Sequence, residues 1–215
     1  GLGRLILELA DIERLERIRY TTSHPRDMDE ELIKAHGEVP ALMPYLHLPI
    51  QSGSDRILTA MNRGHDVNFY RSIIDKIRNI RPDLALSSDF IVGFPGETDD
   101  DFDQTMKIVK EIDYVQAFSF KYSRRPGTPG SVMPKQVSEN VKTERLAILQ
   151  EELHRQNQRF AQNLLGQELE VLVEKPGRHP GQVVGKSPFL QAVFLQGQSD
   201  DIGKIVTVQI DAVEK

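Results

Sequence analysis

The chain has 215 residues, 27% of them charged and 39% hydrophobic, and a formal net charge of −5 at pH 7. This composition is typical of a soluble globular protein that can bury a core in one large domain, or in a medium domain and a small one. The sequence has no cysteine, which excludes disulfides, a cysteine nucleophile and any cysteine-held iron–sulfur cluster within these residues.

No apolar run is long enough to span a membrane and no signal peptide precedes the first helix, so we expect a cytoplasmic protein without a membrane partner. The chain begins Gly1-Leu2-Gly3 rather than with Met, which suggests a fragment or a processed chain. The net negative charge gives no broad attraction for nucleic acid, so such a role needs a local basic patch.

Helical and strand patterns alternate up to about residue 135, which predicts parallel βα units. Each strand is followed by a polar or glycine-bearing loop. The four predicted strands are Arg17 to Thr22, Tyr45 to Ile50, Leu84 to Val92 and Val115 to Tyr122.

Three helices in this part have start signals. Asp27 with Glu30 three residues later, Asp66, and Thr98 followed by three aspartates each place acceptors where the first helical N–H groups need them. After Asp66, helical spacing predicts an apolar face packed on the sheet. That face consists of Phe69, Ile73, Ile74, Ile77 and Ile80.

A long helix is predicted from Ser138 to about Leu165. Its four acidic and four basic residues balance, which favours a solvated face over an RNA-binding one. From Gly166 onward, short β-rich runs predict a small all-β domain that is barrel-like. The runs are Glu168 to Glu174, Gln182 to Gly185, Ala192 to Leu195 and Lys204 to Ile210.

Polar residues follow all four predicted strands of the first part. Each loop alone is explained as well or better by turn geometry or by a surface ion pair. Parallel neighbours, however, bring their carboxyl ends to one edge, so together the loops predict a pocket for a small polar ligand. The groups are His24, the Gln51-Ser-Gly-Ser54 turn, Asp89 with the Gly93 to Glu97 turn, and Arg124 with Arg125.

The six histidines form no His-x-x-x-His or His-x-His pair. A histidine-based metal site therefore has no local support, and we expect no metal ligands in this chain.

Five ordered motifs together resemble the radical S-adenosylmethionine methylthiotransferases, in the version typical of the branch that acts on tRNA. The motifs are Thr22-Ser-His-Pro25, His47-Leu-Pro-Ile-Gln-Ser-Gly-Ser-Asp-Arg-Ile-Leu58, Met61-Asn-Arg-Gly-His65, Ser88-Asp-Phe-Ile-Val-Gly-Phe-Pro-Gly-Glu-Thr98 and Tyr122-Ser-Arg-Arg-Pro-Gly-Thr-Pro129.

The resemblance implies an α/β fold: the last four βα units of a partial (β/α)6, TIM-like radical barrel in residues 1–137, a connecting helix in 138–165, and a TRAM-like β domain in 166–215 that is short at its C-terminal end. The domain after Leu165 has five basic and seven acidic residues, which argues against RNA binding by this piece alone. The family's cluster-binding cysteines are absent here.

The resemblance also implies site roles. Gln51, Ser52 and Arg63 would lie near the methionyl end of S-adenosylmethionine, and Asp89 with the Gly93 to Glu97 turn near its nucleoside. Ser23, His24 and Arg125 would lie on the substrate side, with Arg125 at the pocket floor or near the incoming adenosine.

The implied reaction is insertion of a methylthio group at C2 of N6-isopentenyladenosine at tRNA position 37. The parent protein would use S-adenosylmethionine and two 4Fe-4S clusters, bind the tRNA anticodon stem-loop, and take electrons from a partner such as flavodoxin. As given, the chain would be inactive alone. Two alternatives remain open: an RNA-binding module without catalysis, and an unrelated (β/α) barrel enzyme that binds a phosphorylated metabolite through Arg124 and Arg125.

Overall fold

The computed structural model describes residues 1–21 and 24–213. Two sheets, one parallel and one antiparallel, are joined by a long helix. The first part contains α1 (Leu2–Ala10), α2 (Glu30–Glu38), β1 (Tyr45–His47), α3 (Asp55–Ala60), α4 (Val67–Ile80), β2 (Ala85–Val92), α5 (Asp99–Ile112), β3 (Gln116–Lys121) and the short α6 (Pro129–Val132). The second part contains α7 (Glu139–Asn163), β4 (Glu168–Pro176), β5 (Gln182–Lys186), β6 (Ala192–Gln196) and β7 (Ile205–Gln209).

The parallel sheet has the strand order β1-β2-β3, and the helices between the strands make the crossovers that parallel pairing requires. Tyr45 pairs with Ala85, and Ser87 pairs with Gln116. The alternating pattern in the sequence therefore predicted these three strands and their parallel arrangement correctly.

The prediction of a strand from Arg17 to Thr22 is wrong for the residues of this segment that the structure describes. Only Ile18 pairs, in an isolated parallel bridge to Leu42, and Thr22 lies outside the described residues. Arg17 donates to the carbonyl oxygens of Glu170 and Lys186. The segment is therefore fastened to the antiparallel sheet by side chains instead of continuing a backbone ladder.

Two of the three helix starts are confirmed. Thr98 caps α5 in a capping box with Asp101, and the Asp66 side chain accepts from the Phe69 N–H at the start of α4. The third was wrong: Asp29, not Asp27, caps α2, because Asp27 belongs to a 3-10 helix that precedes it.

The core of the first part lies between the sheet and its helices. Ile73, Ile74 and Ile77 of α4 are buried as the helical spacing predicts, whereas Phe69 and Ile80 at the two ends of the helix are exposed. None of the described helices is both long and apolar enough to cross a bilayer.

The antiparallel sheet has the order β6-β5-β4-β7, so the four β-rich runs in the sequence were read correctly. The sheet curls into a half-barrel whose edge strands are β6 and β7. Helix α7 connects it to the parallel sheet. In the C-terminal half of α7, the Gln156 side chain accepts a hydrogen bond from the Tyr114 N–H of the first part at 2.9 Å. One turn later, the Phe160 ring packs edge-on against that of Phe189, with 5.3 Å between the ring centroids.

Candidate active site

The carboxyl ends of β1, β2 and β3 share one edge of the parallel sheet, as predicted. A bridge to Phe90 fixes Gln51 at this edge: the Gln51 N–H donates to the Asp89 carbonyl at 2.9 Å, and the Gln51 carbonyl accepts from the Ile91 N–H at 2.9 Å. Gln51 has a φ of +77°, a left-handed conformation that costs a non-glycine residue about 1–2 kcal/mol. Such strain concentrates at ligand-binding turns.

One face of the parallel sheet packs against helices, and the opposite face, here called the open face, carries partly exposed side chains in the described part of the chain. Leu46 and Phe90 are buried on the covered side, whereas His47 and Asp89 alternate with them and stay partly exposed. The His47 Nε2 atom lies 3.6 Å from the Asp89 carboxylate, and His47 Nδ1 lies 2.9 Å from Ser87 Oγ. The open face therefore presents an imidazole and a carboxylate close to the strand ends.

Arg63, between α3 and α4, places a cation near this carboxylate. Its Nε atom is buried and has no hydrogen-bond partner among the described residues. Burial lowers the pKa of the Arg63 guanidinium, and the Asp89 carboxylate partly opposes that shift. A buried donor without an acceptor is costly, so this guanidinium is suited to an anionic ligand group such as a carboxylate.

Two aromatic rings extend the open face along β3. Phe118 pairs in register with Asp89, and Phe120 with Ile91, so their side chains share the face of that carboxylate. Phe118 is 47% exposed and Phe120 is 53% exposed. Exposed aromatic rings beside polar groups can stack a planar heterocyclic base.

The turn after β1, residues 51–54 (the β1 turn), is attached to α5. Ser52 is fully buried, with its Oγ 3.3 Å from Thr105 Oγ1. The Gly53 N–H donates to Thr105 Oγ1 at 2.9 Å, and the Ser54 hydroxyl donates to Asp101 Oδ1 at 2.6 Å. The structure therefore places the Ser52 hydroxyl against α5 and leaves Gln51 as the residue of this turn at the sheet edge.

The turn after β2, residues 93–97 (the β2 turn), is attached to α7. Glu97 accepts from the Gly93 N–H at 2.8 Å and from Arg145 at 2.7 Å, and both charged side chains are almost fully buried. Arg145 also pairs with Asp99 at 2.7 Å. Gly93 has a φ of +73°, and a Cβ added there would lie 2.3 Å from the Lys142 side chain. Only glycine fits this close approach of turn and helix.

The carboxylates that hold these two turns have opposite pKa shifts. Burial raises the pKa of Glu97, and its hydrogen bond from Gly93 and its pairing with Arg145 only partly compensate. Burial would also raise the pKa of Asp101, but hydrogen bonds from Arg56, Ser54 and Thr98 outweigh it and hold that pKa well below its usual range.

Sequence reasoning missed Lys142 and Arg145, because the charged residues of α7 were expected on a solvated face. Both are buried. The signal was present in the spacing: residues 142, 145, 149, 153 and 156 recur at helical intervals on one buried face. Cations within an apolar stripe indicate buried partners.

The remaining predicted site residues are placed as follows. His24 caps the 3-10 helix by accepting from the Arg26 N–H at 3.1 Å, and its ring meets that of His65 edge-on at 5.1 Å. Arg125 is exposed after β3, and its carbonyl accepts from Thr128. Ser23 lies outside the described residues. Within the described ranges, no group of three or more potential ligand side chains is placed to hold a metal ion.

Comparison with known proteins identifies the family. The profile of the radical SAM superfamily matches residues 1–109. The chain belongs to this superfamily. The profile of the TRAM domain matches residues 162–215 of this chain.

Two relatives extend the comparison. The chain is 59% identical over 212 residues to the tRNA-2-methylthio-N(6)-dimethylallyladenosine synthase of Agrobacterium fabrum, covering 99% of this chain and 47% of the relative. It thus spans about half the length of that curated relative. The radical SAM enzyme coproporphyrinogen III oxidase from Escherichia coli superposes on 72% of this chain and 36% of its own, with a TM-score of 0.56 and 20% identity. That likeness shows the fold.

Membership of the superfamily implies S-adenosylmethionine and an iron–sulfur cluster. The open face fits S-adenosylmethionine: Arg63 offers a buried, unsatisfied donor to a carboxylate, Asp89 offers an acceptor to an amine or to hydroxyls, and the aromatic rings offer a surface to adenine. The chain does not fit the cluster, because it has no cysteine. The ligands of the cluster are therefore not in this chain.

Proposed function

We propose that this chain is the catalytic-barrel and C-terminal part of a tRNA-modifying enzyme that inserts a methylthio group at C2 of N6-isopentenyladenosine, at position 37. The observation that carries this proposal is the 59% identity to a synthase of that name across 99% of the chain. The parallel sheet with its polar edge and the TRAM match agree with it. The superfamily match argues against the alternative of an unrelated barrel enzyme.

The residues of the open face would bind and orient S-adenosylmethionine. Arg63 would pair with the methionyl carboxylate, since its Nε lacks a partner among the described residues. Gln51 would contact the methionyl part, and Asp89 the nucleoside hydroxyls. The rigid backbone of the Gly93 to Glu97 turn would border the nucleoside. Ser52 and Glu97 would not contact the cofactor directly but would position the two turns, because their side chains hold these turns against α5 and α7.

Substrate contacts are proposed for the opposite ends of the same edge. Arg125 would meet the incoming adenosine or its phosphates, and His24 would border it from the N-terminal end of the 3-10 helix. Ser23, which lies outside the described residues, is proposed for the same role from the sequence alone. An exposed guanidinium after β3 suits a phosphate or a polar base edge. The stem-loop of the anticodon is the part of tRNA that carries this adenosine.

When bound, S-adenosylmethionine and the clusters supply the methyl group and the radical chemistry. We propose two 4Fe-4S clusters, held by cysteines of the parent protein that lie outside this chain, and a reducing partner such as flavodoxin.

The proposed domain division is a barrel part in residues 1–137, a connecting helix in 138–165 and a TRAM domain in 166–215. Because the substrate is tRNA, the proposal also puts the enzyme in the cytoplasm.

The proposal is tested in a bacterial strain whose own methylthiolation gene is deleted. The full-length gene that encodes this chain is expressed there, and tRNA nucleosides are measured by mass spectrometry. We expect 2-methylthio-N6-isopentenyladenosine to appear, and to be lost with Arg63→Ala but retained with Lys204→Ala, since Lys204 lies just before β7, away from the open face, and pairs with Asp201. Absence of the nucleoside with a stably expressed wild-type protein would sink the proposal.

The cofactor part has its own measurement. Equilibrium dialysis of S-adenosylmethionine against the assembled full-length protein should give binding that Arg63→Ala weakens. If methylthiolation fails but tRNA binding persists, the chain acts as the RNA-binding module that the sequence left open.

A further inference from the structure

Two arginines of the first part, Arg17 and Arg19, reach the antiparallel sheet, and we call them the arginine pair. They alternate with Ile18, which is buried in the first part and whose backbone bonds to Ala41 and Met43. In an extended segment, the residues on either side of a buried one project to the opposite face. Ile18 therefore anchors this segment in the first part, and the arginine pair points away from that anchor.

The Arg17 guanidinium bridges two strands of the antiparallel sheet. One of its terminal nitrogens donates to the Lys186 carbonyl of β5 at 3.0 Å, and the other donates to the Glu170 carbonyl of β4 at 2.7 Å. A planar guanidinium holds its donors in a fixed fork, whereas a lysine ammonium is a compact point charge on a flexible stem. The two bonds therefore set the direction of the sheet as well as its distance, and a lysine at this position would lose that direction.

Arg19 binds the loop between β5 and β6, residues 187–191, which we call the β5–β6 loop. It donates to the carbonyl oxygens of Ser187 and Pro188 at 2.7 and 3.0 Å. The Ser187 hydroxyl is fully buried and accepts from the Phe189 N–H at 3.2 Å. Arg19 therefore binds a loop that its own hydrogen bonds keep in shape.

The arginine pair gives the antiparallel sheet an attachment that is independent of α7. Among the hydrogen bonds between described residues, only those of the arginine pair join residues 1–137 to this sheet. At the end of α7, Phe160 packs on Phe189, and the chain leaves the helix at Gly166, which has a φ of +78°. Two links at one end of one helix leave the sheet a rotation about them, which an attachment on a different segment restricts.

The contacts of α7 show how far the antiparallel sheet lies from the carboxyl edge of the parallel sheet. Arg145 pairs with Glu97 in the β2 turn at that edge, and Asn157 donates to the Val115 carbonyl just before β3 at 2.6 Å. These contacts are about 18 Å apart along the helix axis. A rotation of the antiparallel sheet by about 10° would shift a molecule bound to it by about 3 Å at the edge. Misplacement of about 1 Å can already cost a reaction about a hundredfold.

We propose that Arg17 and Arg19 are positioning residues for the reaction on tRNA. They fix the orientation of the antiparallel sheet, so that a tRNA in contact with both parts of the chain places its target nucleotide at the carboxyl edge. The inference rests on the proposed function, in which the substrate is tRNA. The arginine pair would act without touching RNA, because carbonyl oxygens of the sheet engage its terminal nitrogens. The reaction would thus depend on the fork of donors and not on the charge.

The test uses full-length enzyme with Arg17→Lys and Arg19→Lys together, which keeps both charges and removes both forks. We expect the single-turnover rate constant of tRNA methylthiolation to fall about tenfold. The Kd of tRNA by fluorescence anisotropy and that of S-adenosylmethionine by equilibrium dialysis should change by less than about twofold. Arg155→Lys is the matched control and should keep the wild-type rate, because the Arg155 side chain is 60% exposed and pairs with Glu152.

Four results would overturn the proposal. An unchanged rate in the double variant, or an equal loss in Arg155→Lys, would show that the forks do not matter. A rise in the Kd of tRNA that accounts for the whole loss would show that the arginine pair binds RNA. A parallel loss of rate and of S-adenosylmethionine binding sites would show that the pair only maintains the fold.

Hydrogen–deuterium exchange of the full-length protein tests the attachment without any activity. The lysine double variant should speed exchange in the β5–β6 loop, whose amides bond within the loop, and leave exchange in α5 unchanged. Unchanged exchange in the loop would contradict the attachment. If the wild type does not methylthiolate tRNA, the proposed function fails, and faster exchange still shows that the pair fixes the sheet. If the wild type is active and the variant keeps its rate, only this inference fails.

Discussion

The β1 turn and the β2 turn lie at the same edge of the parallel sheet, but different groups hold them in place. The Thr105 hydroxyl and the Asp101 carboxylate of α5 hold the β1 turn, and the exposed side chain of Arg56 also pairs with Asp101. A fully buried ion pair from α7 holds the β2 turn, joining Arg145 to Glu97. Two turns at the same edge can therefore differ electrostatically. The surroundings of Asp101 lower its pKa and favour the ionised carboxylate, whereas burial raises the pKa of Glu97 and disfavours it.

The largest expected effect comes from removing the buried cation. Arg145→Met should lower the free energy of unfolding by about 3 kcal/mol at pH 8, because it leaves the Glu97 carboxylate buried without its partner. Burial already raises the pKa of Glu97, so a proton can neutralise it when the pH falls. The cost is present above that raised pKa and shrinks as the pH falls through it.

Urea unfolding at pH 8 and pH 5 measures this difference. Arg155→Met on the same helix is the control, since the Arg155 side chain is 60% exposed and pairs with neighbouring Glu152. A similar loss in both variants, or a loss independent of pH, would show that the buried pair does not distinguish the β2 turn.

The second effect concerns the β1 turn. Asp101→Asn should lower the free energy of unfolding by about 2 kcal/mol, because the carboxylate accepts from Ser54, Thr98 and Arg56. Its pKa is lowered from 3.8 in the folded protein, so its stabilisation is present above about pH 4 and is lost as the pH falls below that value. Asp103→Asn, exposed on the same helix, should be neutral.

Thermal or urea unfolding between pH 3 and pH 7 tests it. We expect the loss of stability relative to the wild type to be the same from pH 5 to pH 7. If Asp101→Asn instead loses stability only at high pH, as expected for Arg145→Met, then the two turns do not differ in the way described.

A smaller effect is expected for the neutral part of the β1 turn. Thr105→Val keeps the shape of the side chain but removes the acceptor of the Gly53 N–H. We expect a loss of about 1–2 kcal/mol, together with weaker S-adenosylmethionine binding by the full-length protein. Thr59→Val should change neither quantity, because the exposed Thr59 hydroxyl donates to the Asp55 carbonyl within its own helix. Full retention of cofactor affinity in Thr105→Val would show that the turn does not need this anchor.

The smallest stability effect is expected on the open face itself. Asp89→Asn should change the free energy of unfolding by less than about 0.5 kcal/mol, since the carboxylate is partly exposed. The same change should weaken S-adenosylmethionine binding about tenfold by equilibrium dialysis. If Asp89→Asn instead destabilises the fold as much as Asp101→Asn, then Asp89 supports the structure like the turn residues do.

The regular part of the fold could be predicted from sequence because it follows from local periodicity. Sequence patterns that extend over only a few residues indicated the strands of both sheets. The same is true of the start of α5 at Thr98 and of the long helix after Ser138. The failure at Arg17 to Thr22 has a non-local cause. Its arginines bond to carbonyls about 150 or more residues away, and no local pattern reports that.

The sequence predicted that these strand ends meet at one edge of the sheet, but not the direction of their side chains. A turn such as Gln51 to Ser54 shows which polar groups reach the sheet edge, but not that Ser52 faces Thr105 while Gln51 remains at the edge. That depends on packing between elements separated by about fifty residues. Arg145 shows the same limit, since its partner is 48 residues away. The roles of Gln51, Arg63 and Asp89 toward a cofactor stay predictions.

The length of α7 has a consequence for how the two sheets unfold. The helix has 25 residues. Arg145 contacts the β2 turn, and Phe160, 15 residues and about 22 Å further along the helix axis, packs on Phe189 beside the antiparallel sheet. Arg17 and Arg19 of the first part also donate to carbonyls in and next to that sheet. Because one continuous helix and these side chains connect the two sheets, we expect both sheets to unfold in a single cooperative transition.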